Sequence, residues 1–348
     1  MRLILAIPDL LAQDPATLAA APALARLAHY AGTPSTRSGG LDGWLVNVSL
    51  NNDAAGDDGT APLAALGAGF DPGASWVMRA DPVSLVAGRA DVSLAARIDD
   101  LDAGDANAMI AMLNEHFGRD GLAFHAPRPD AWFVTPDATP DMATTPLSAV
   151  HGAIYPFLPS GNDAGKWRRW MSEMQMLLHE HPANAAREAQ GRVRVTGIWI
   201  ADGGRIAQGH ARQTMATFAP RGSTGDVARG LARSQGQAAG EPPADFAAMK
   251  LASDESGSNA LVVLDRANAG AMARLETTWL RPAVAALERG TLTAFCLLAD
   301  GDGLAARWNA TPPKWLERVR AKFAPRPLGL PPFGSPPFGL PTSARDDD

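Results

Sequence analysis

The sequence predicts an α/β protein whose core is a mostly parallel β-sheet covered by helices. Three runs of consecutive apolar residues, at 3–7, 259–265 and 292–300, are typical of strands that are buried on both faces. Amphipathic helical patterns follow or separate these runs, as they do in repeated strand–helix units. A length of 348 residues is enough for a large core and for a second domain.

The N-terminal segment begins with a strand and a helix. Residues 3–7 form the first predicted strand, and Asp9 follows at its carboxyl end. Asp14 is placed to cap a helix over 15–30, which carries an apolar stripe. Residues 44–50 are predicted as a strand between two segments of loop composition.

The next part of the chain has a different pattern, in which apolar and polar residues alternate. It predicts two strands, a helix that ends before Gly118, and two more strands, at 76–80, 92–98, 105–117, 122–125 and 132–135. Half-exposed strands in this β-β-α-β-β order indicate an α+β domain inserted into the α/β core.

Residues 160–205 predict a long helix, a short helix and a buried strand. Pro182 ends the long helix near His181, and Asn184 is placed to cap the short one. The strand at 195–201 is apolar on both faces, so we expect it to lie in the covered parallel sheet.

The C-terminal part of the chain predicts loops, helices and a disordered tail. Residues 206–258 have loop composition with short helices such as 226–233, and the helix over 271–288 is kinked at Pro282. A last helix begins at Pro312 or Pro313. The domain prediction is a core of 1–75 and 190–324, an insert of 76–160, connecting helices at 161–189 and a disordered tail rich in proline and glycine at 325–348. The alternative for the tail is a ligand for a partner's groove.

Composition excludes several classes of function. The net charge of −6 provides no positive surface for nucleic acid or for an anionic membrane. A single cysteine, Cys296, excludes an internal disulfide and a cysteine metal cage. The apolar run at the N-terminus is too short for a signal peptide, and no run reaches the length of a membrane span. We therefore expect a cytoplasmic protein.

Three aspartates stand where buried strands end: Asp9, Asp265 and Asp300. The carboxyl ends of such strands meet at one crevice, so these side chains are either metal ligands or helix caps and loop acceptors. Two-metal phosphate chemistry also needs imidazole ligands and a hydroxyl nucleophile. None of the seven histidines lies on the segments around Asp265 and Asp300.

A second polar cluster surrounds the proline break. His181, Asn184 and Arg187 either serve the local fold or form a small anion site in which Arg187 offers its guanidinium fork. Arg79, before Asp81 and Pro82, has the same two readings, since Asp-Pro is also common at turns.

Three segments carry a family resemblance. The stretches PLAALGAGFDPGASWVMRADPVSL (62–85), LNEHFGRDGLAFHA (113–126) and WRRWMSEMQMLLHEHPANAARE (167–188) resemble the regulator-of-pathogenicity-factors E-type family of proteobacteria. That family is similar to the archaeal type of cofactor-independent phosphoglycerate mutase, in the alkaline-phosphatase-like superfamily. The resemblance implies an alkaline-phosphatase-like core with an inserted α+β domain.

Departures from the mutases bear on activity. The Gly after their first strand-end Asp is absent after Asp9, Ala269 and Gly270 stand where a His should follow Asp265, and Gly301 replaces the His after Asp300. No Gly-Ser-Asp nucleophile loop occurs between 32 and 60. The resemblance therefore implies a catalytically degenerate regulatory or ligand-sensing protein with no cofactor. Its small anionic ligand would bind between core and insert near Arg79, His181, Asn184 and Arg187.

Two alternatives remain open. One is an active mutase or phosphatase that binds Mn or Zn through Asp9, Asp265 and Asp300. The other is a structural protein whose role is to bind a protein partner.

Overall fold

Two β-sheets organise this chain in a computed structural model, which describes residues 1–50, 59–89, 91–206, 215–253, 259–268, 270–323 and 328–329. The strands are β1 Arg2–Ile7, β2 Ser35–Ser38, β3 Val77–Ala87, β4 Val92–Arg97, β5 Leu122–Arg128, β6 Ala131–Pro136, β7 Gly197–Gly204, β8 Ala216–Phe218, β9 Asn259–Val263, β10 Ala294–Gly301 and β11 Leu304–Ala310. The α-helices are α1 Pro15–Ala19, α2 Pro22–Ala31, α3 Asp42–Leu50, α4 Ala61–Ala68, α5 Ala103–Phe117, α6 Ala164–His179, α7 Pro182–Ala189, α8 Ser223–Ser234, α9 Phe246–Ser253, α10 Ala271–Leu275, α11 Arg281–Glu288 and α12 Trp315–Phe323.

The first sheet has the order β2-β11-β10-β1-β9-β8. Its centre is parallel, since β1 pairs with β10 and β9 in the same direction, and β11 and β2 add an antiparallel edge. Alternate residues of β1 enter two different cores: Leu3 and Leu5 face α2 and α11, while Ile4 faces α3 and α8. Burial of both faces explains the continuous apolar runs, and the predicted α/β fold is confirmed.

The second sheet is antiparallel and has the order β4-β3-β6-β5, with β7 also paired to β3. The prediction that 195–201 lies in the parallel sheet is therefore wrong. Both α6 and α4 contact β7, and they lie on opposite faces of this sheet. Helices on both faces make a strand apolar throughout, whichever direction its neighbours run. The second sheet thus includes a strand from the segment 190–324 that the sequence assigns to the core.

Several local predictions need correction. Residues 44–50 belong to α3, because Leu41, Trp44, Leu45 and Val48 are buried at helical spacing. The helix predicted over 15–30 is divided in two: Ala21 is extended and Pro22 begins α2, where its missing N–H is tolerated.

Proline has opposite effects in two other elements. The strand β3 continues through Asp81 and Pro82, which pair with Trp199 and Ile198, so the turn reading of this dipeptide is wrong. The helix predicted over 271–288 is divided by a π-helical segment at Glu276–Leu280, just before Pro282.

Three strands were absent from the prediction: β2, β8 and β11. Asp302 and Gly303 join β10 to β11 with φ values of 50° and 77°, a two-residue hairpin turn of the Asp-Gly kind. The Asp-Gly dipeptide is the sequence signal that indicates this hairpin, and therefore β11. Most of the segment 325–348, which is predicted to be disordered, lies outside the described residues. Leu328 is described, and its carbonyl accepts the indole N–H of Trp308 at 3.2 Å. Among the described helices, none combines the length and the apolar character needed to cross a membrane.

Candidate functional site

A cavity of about 730 Å³ lies where the two sheets meet. The first sheet contributes Asp9, Asp265 and Asp300 from the carboxyl ends of its central parallel strands. The second sheet contributes Arg79 from β3 and Asp202 from β7. This is the position where open α/β sheets bind ligands, because the loops after neighbouring parallel strands diverge there.

Asp300 is held by two backbone amides from different loops. Its Oδ1 accepts the N–H of Asp9 at 2.8 Å, and its Oδ2 accepts the N–H of Leu41 at 3.2 Å. Burial raises the pKa of Asp300 to about 6, and the charges of Asp9 and Asp42 act in the same direction against the two amides. The carboxylate therefore joins the loops after β1 and β2 to the end of β10.

Asp9 has a left-handed backbone and a charged partner. Its φ is 58°, and its carboxylate accepts a hydrogen bond from Nε of Arg266. In the described part of the chain the other non-glycine residues with positive φ are Asp202 and Asp302. All three line the cavity, and aspartate is among the residues that tolerate this conformation best. Unusual backbone conformations thus concentrate at this site.

Arg79 is buried although it lines the cavity, with an exposed fraction of 6%. Its Nη2 donates to Asp42 and to the carbonyl of Ser223, both at 3.2 Å, and its Nε lies 3.8 Å from Asp202. Burial lowers the pKa of this guanidinium, but the carboxylates of Asp42, Asp81, Asp202 and Asp226 outweigh burial and raise it. Arg79 therefore stays charged and links β3 to α3 and α8.

A second ion pair also joins the sheets. Arg128 on β5 donates to both carboxylate oxygens of Asp226 on α8, at 2.9 and 2.7 Å, and it also binds Asp130. Burial raises the pKa of Asp226, while the hydrogen bond and charge of Arg128 oppose that rise. This pair holds the first turn of α8 against the second sheet.

The cavity wall is rich in both kinds of charge, with carboxylates in excess. Among the described residues that line it are nine aspartates and four arginines, which are Arg79, Arg97, Arg221 and Arg266. His151 also lines the cavity, and its Nδ1 lies 3.0 Å from the carbonyl oxygen of Ala149.

The structure separates the four residues predicted as one ligand pocket. Arg79 lines the cavity, and His181, Asn184 and Arg187 do not. His181 caps α7 by accepting the N–H of Ala183 at 3.2 Å, a role that the sequence assigned to Asn184.

Asn184 and Arg187 are fully buried, and their polar atoms bond neighbouring groups of the local fold. Asn184 bonds the carbonyls of Leu178 and Val195 and the N–H of Val195, at 2.6 to 2.8 Å. Arg187 donates to the carbonyl of Val193 at 2.9 Å and to the Asp100 carboxylate. These bonds tie α6 and α7 to the segments around 100 and 193–195.

The donor set does not fit a bimetallic centre. Within the described ranges, no three His, Cys, Asp or Glu side chains are grouped to hold a metal ion. Both oxygens of Asp300 already accept amide N–H groups, and Asp9 binds Arg266. Asp9, Asp265 and Asp300 share the cavity as predicted from their strand ends, but they are not presented together to one cation.

Sequence reasoning missed the arginines of this site other than Arg79. Arg266 follows Asp265 directly, so its place at a strand end was a usable signal. Arg97 and Arg221 reach the cavity from β4 and from the loop before α8, which no local pattern connects. Asp42, in the first turn of α3, was hidden by the prediction of a strand there.

Comparisons with known proteins gave matches among solved structures alone. No protein-family model and no curated protein matches the chain. A cofactor-independent phosphoglycerate mutase from Thermoplasma acidophilum is 17% identical, with 89% of each chain covered and a TM-score of 0.43. The PH0037 protein from Pyrococcus horikoshii is 13% identical, with 89% of this chain and 87% of that chain covered and a TM-score of 0.49.

Proposed function

We propose that this protein is a catalytically degenerate relative of the cofactor-independent phosphoglycerate mutases and acts as a regulator or sensor of a small ligand. The resemblance of residues 62–85, 113–126 and 167–188 supports the scaffold. The cavity between the sheets supports a retained ligand site.

The observation that carries the loss of catalysis is the packing of Gly301. The mutases that the chain resembles have a His here, directly after the aspartate that corresponds to Asp300. A Cβ at position 301 would lie 2.2 Å from the backbone nitrogen of Ala12 and 2.6 Å from the carbonyl carbon of Leu11. No side chain fits unless the loop after β1 moves. The packing of β10 against that loop therefore leaves no room for an imidazole at position 301.

The ligand class follows from the charges that stay available in the cavity. Arg97 and Arg221 line the wall and form no ion pair with a described carboxylate, whereas Arg79 and Arg266 do. Two such guanidinium groups suit a phosphate or carboxylate. The surrounding aspartates favour a ligand that also carries hydroxyl donors. We therefore propose a small phosphorylated or carboxylated hydroxy compound, with 3-phosphoglycerate as the probe.

Calorimetric titration of 3-phosphoglycerate, together with a coupled mutase assay in the presence of Mn²⁺, tests this function. We expect binding without turnover, and we expect the double variant Arg97→Ala/Arg221→Ala to bind at least about tenfold more weakly. The matched control is Arg168→Ala, whose guanidinium binds the carbonyl of Pro159 and does not line the cavity. Absence of binding by the unmodified protein would overturn the proposed ligand class.

A second candidate function is an active metal-dependent mutase or phosphatase. Asp9, Asp265, Asp300 and His151 share the cavity and are donor types that such chemistry uses, although they are not grouped around one cation among the described residues. Turnover in the same assay, lost in Asp300→Ala and retained in Arg168→Ala, would establish this candidate and overturn the first.

A further inference from the structure

Arg266 lies at the strand-end carboxylates, on the side that faces the cavity. It follows Asp265 directly after β9, and its Nε donates to Oδ2 of Asp9 after β1. Its side chain is 60% exposed, and that of Asp9 is 33% exposed. An exposed ion pair of this kind adds little to the stability of the fold. A role for Arg266 therefore has to come from its position at the cavity.

The backbone on both sides of Arg266 is fixed to the β1 strand and its loop. Leu264 donates its N–H to the carbonyl of Ala6 at 2.9 Å, and Ala267 donates to the carbonyl of Pro8 at 2.8 Å. The side chain of Gln13 adds a bond to the carbonyl of Ala267 at 2.9 Å. These bonds extend the β1–β9 pairing beyond the strands and hold residue 266 beside Asp9. The contact between Arg266 and Asp9 is thus imposed by the sheet.

Arg266 is surrounded by carboxylates, the groups that a divalent cation would bind at the same place. The hydrogen bond with Asp9 raises the pKa of Arg266 most, burial opposes the rise, and the charges of Asp9, Asp99 and Asp300 add to it. The guanidinium is therefore the counter-charge for carboxylates from the ends of β1 and β10. Carboxylate oxygens are also the preferred ligands of Mg²⁺ and Mn²⁺.

We propose that Arg266 is a built-in cation that neutralises the strand-end carboxylates and keeps divalent metal ions away from them. This inference rests on the proposed loss of metal-dependent catalysis and gives that loss a physical cause. The positive charge of Arg266 repels an incoming metal ion, and its hydrogen bond occupies a carboxylate oxygen of Asp9 that the ion would need. With Arg266 removed, the carboxylate of Asp9 becomes available to a cation, beside the charge of Asp300.

Titration of the full chain with Mn²⁺ alone tests the inference, with heat and the electron paramagnetic resonance signal of free Mn²⁺ as two readouts. We expect Arg266→Ala to bind Mn²⁺ at least about tenfold more tightly than the unmodified protein, because one positive charge beside the site is removed. Arg266→Gln, which keeps most of the side chain, should show the same gain. Arg266→Lys, which keeps the charge, should show none.

Two controls separate this effect from a general change in charge. Arg168→Ala removes a positive charge outside the cavity without uncovering Asp9, so its affinity for Mn²⁺ should stay close to that of the unmodified protein. Asp9→Asn in the Arg266→Ala background should abolish the gain.

The outcomes distinguish the two proposals. Equal affinity of the unmodified protein and both neutral variants overturns the role of Arg266 and leaves the proposed function standing. Tight binding of Mn²⁺ by the unmodified protein overturns the role of Arg266, and with mutase turnover it overturns the proposed function as well.

Discussion

Asp300 shows how one buried side chain can serve both the fold and the site. Its carboxylate joins the loops that carry Asp9 and Leu41, and it also lines the cavity. The burial that strengthens these hydrogen bonds disfavours its charge, which is why its pKa is about 6. The stability of the protein should therefore depend on pH through this residue.

Asp300→Asn should remove that dependence. The pKa of Asp300 rises from 3.8 to about 6 on folding, so the folded protein binds this proton more tightly than the unfolded chain does. The resulting stabilisation is complete below about pH 4 and is lost as the pH rises through about 6. Between these values the unmodified protein should lose about 3 kcal/mol relative to Asp300→Asn. Guanidinium unfolding of both proteins at several pH values measures the difference. Parallel pH curves would contradict the prediction.

At the scale of elements, α4 and α8 cross at glycines. A Cβ on Gly67 would lie 1.8 Å from the carbonyl oxygen of Asp226, and one on Gly230 would lie 1.7 Å from that of Leu63. Backbones this close leave no room for a side chain. The position of α8 decides where Ser223 and Asp226 meet Arg79 and Arg128, so the crossing also positions the site.

Gly230→Ala should destabilise the protein by about 3 kcal/mol, because the new methyl group forces the two helices apart. Gly165→Ala in α6 is the matched control, since a Cβ there meets nothing within 4 Å. Gly165→Ala should change the free energy of unfolding by no more than about 1 kcal/mol, in the stabilising direction, because alanine has the higher helix propensity. Thermal and denaturant unfolding compare the two variants. Equal stability of both would show that the helices can separate freely.

At the scale of the whole molecule, arginines hold the two sheets together. Arg79 on β3 binds Asp42 on α3, and Arg128 on β5 binds Asp226 on α8. Both α3 and α8 pack on the first sheet, so each pair connects the two layers. Arg79 and Asp42 also line the cavity.

Arg128→Ala should cost about 3 kcal/mol, because it leaves the buried carboxylate of Asp226 without its partner. Adding Asp226→Asn should recover part of the loss, since the unpaired charge is then absent. Arg26→Ala, which breaks the half-exposed pair with Glu288, is the control and should cost less than about 1 kcal/mol. Hydrogen exchange should locate the loosening at β5 and α8. An unchanged exchange pattern there would argue against a link between the sheets.

Sequence patterns located most elements but not their neighbours. The runs at 3–7, 259–265 and 292–300 predict buried strands and form the parallel centre of the first sheet. The equally apolar run at 195–201 predicts a strand of the same sheet but belongs to the other one. Apolar periodicity reports burial, and a strand between two helices has the same pattern in either sheet.

By itself, the sequence determined the α/β class, the buried strands and the strand-end positions of Asp9, Asp265 and Asp300, because these depend on local runs of residues. The tertiary structure alone decided which polar groups meet. It placed Arg266 on Asp9, directed Asn184 and Arg187 into the local fold, and pressed Gly301 against Ala12. Those contacts join residues far apart in the chain, so their energies depend on how the sheets pack and leave no local pattern.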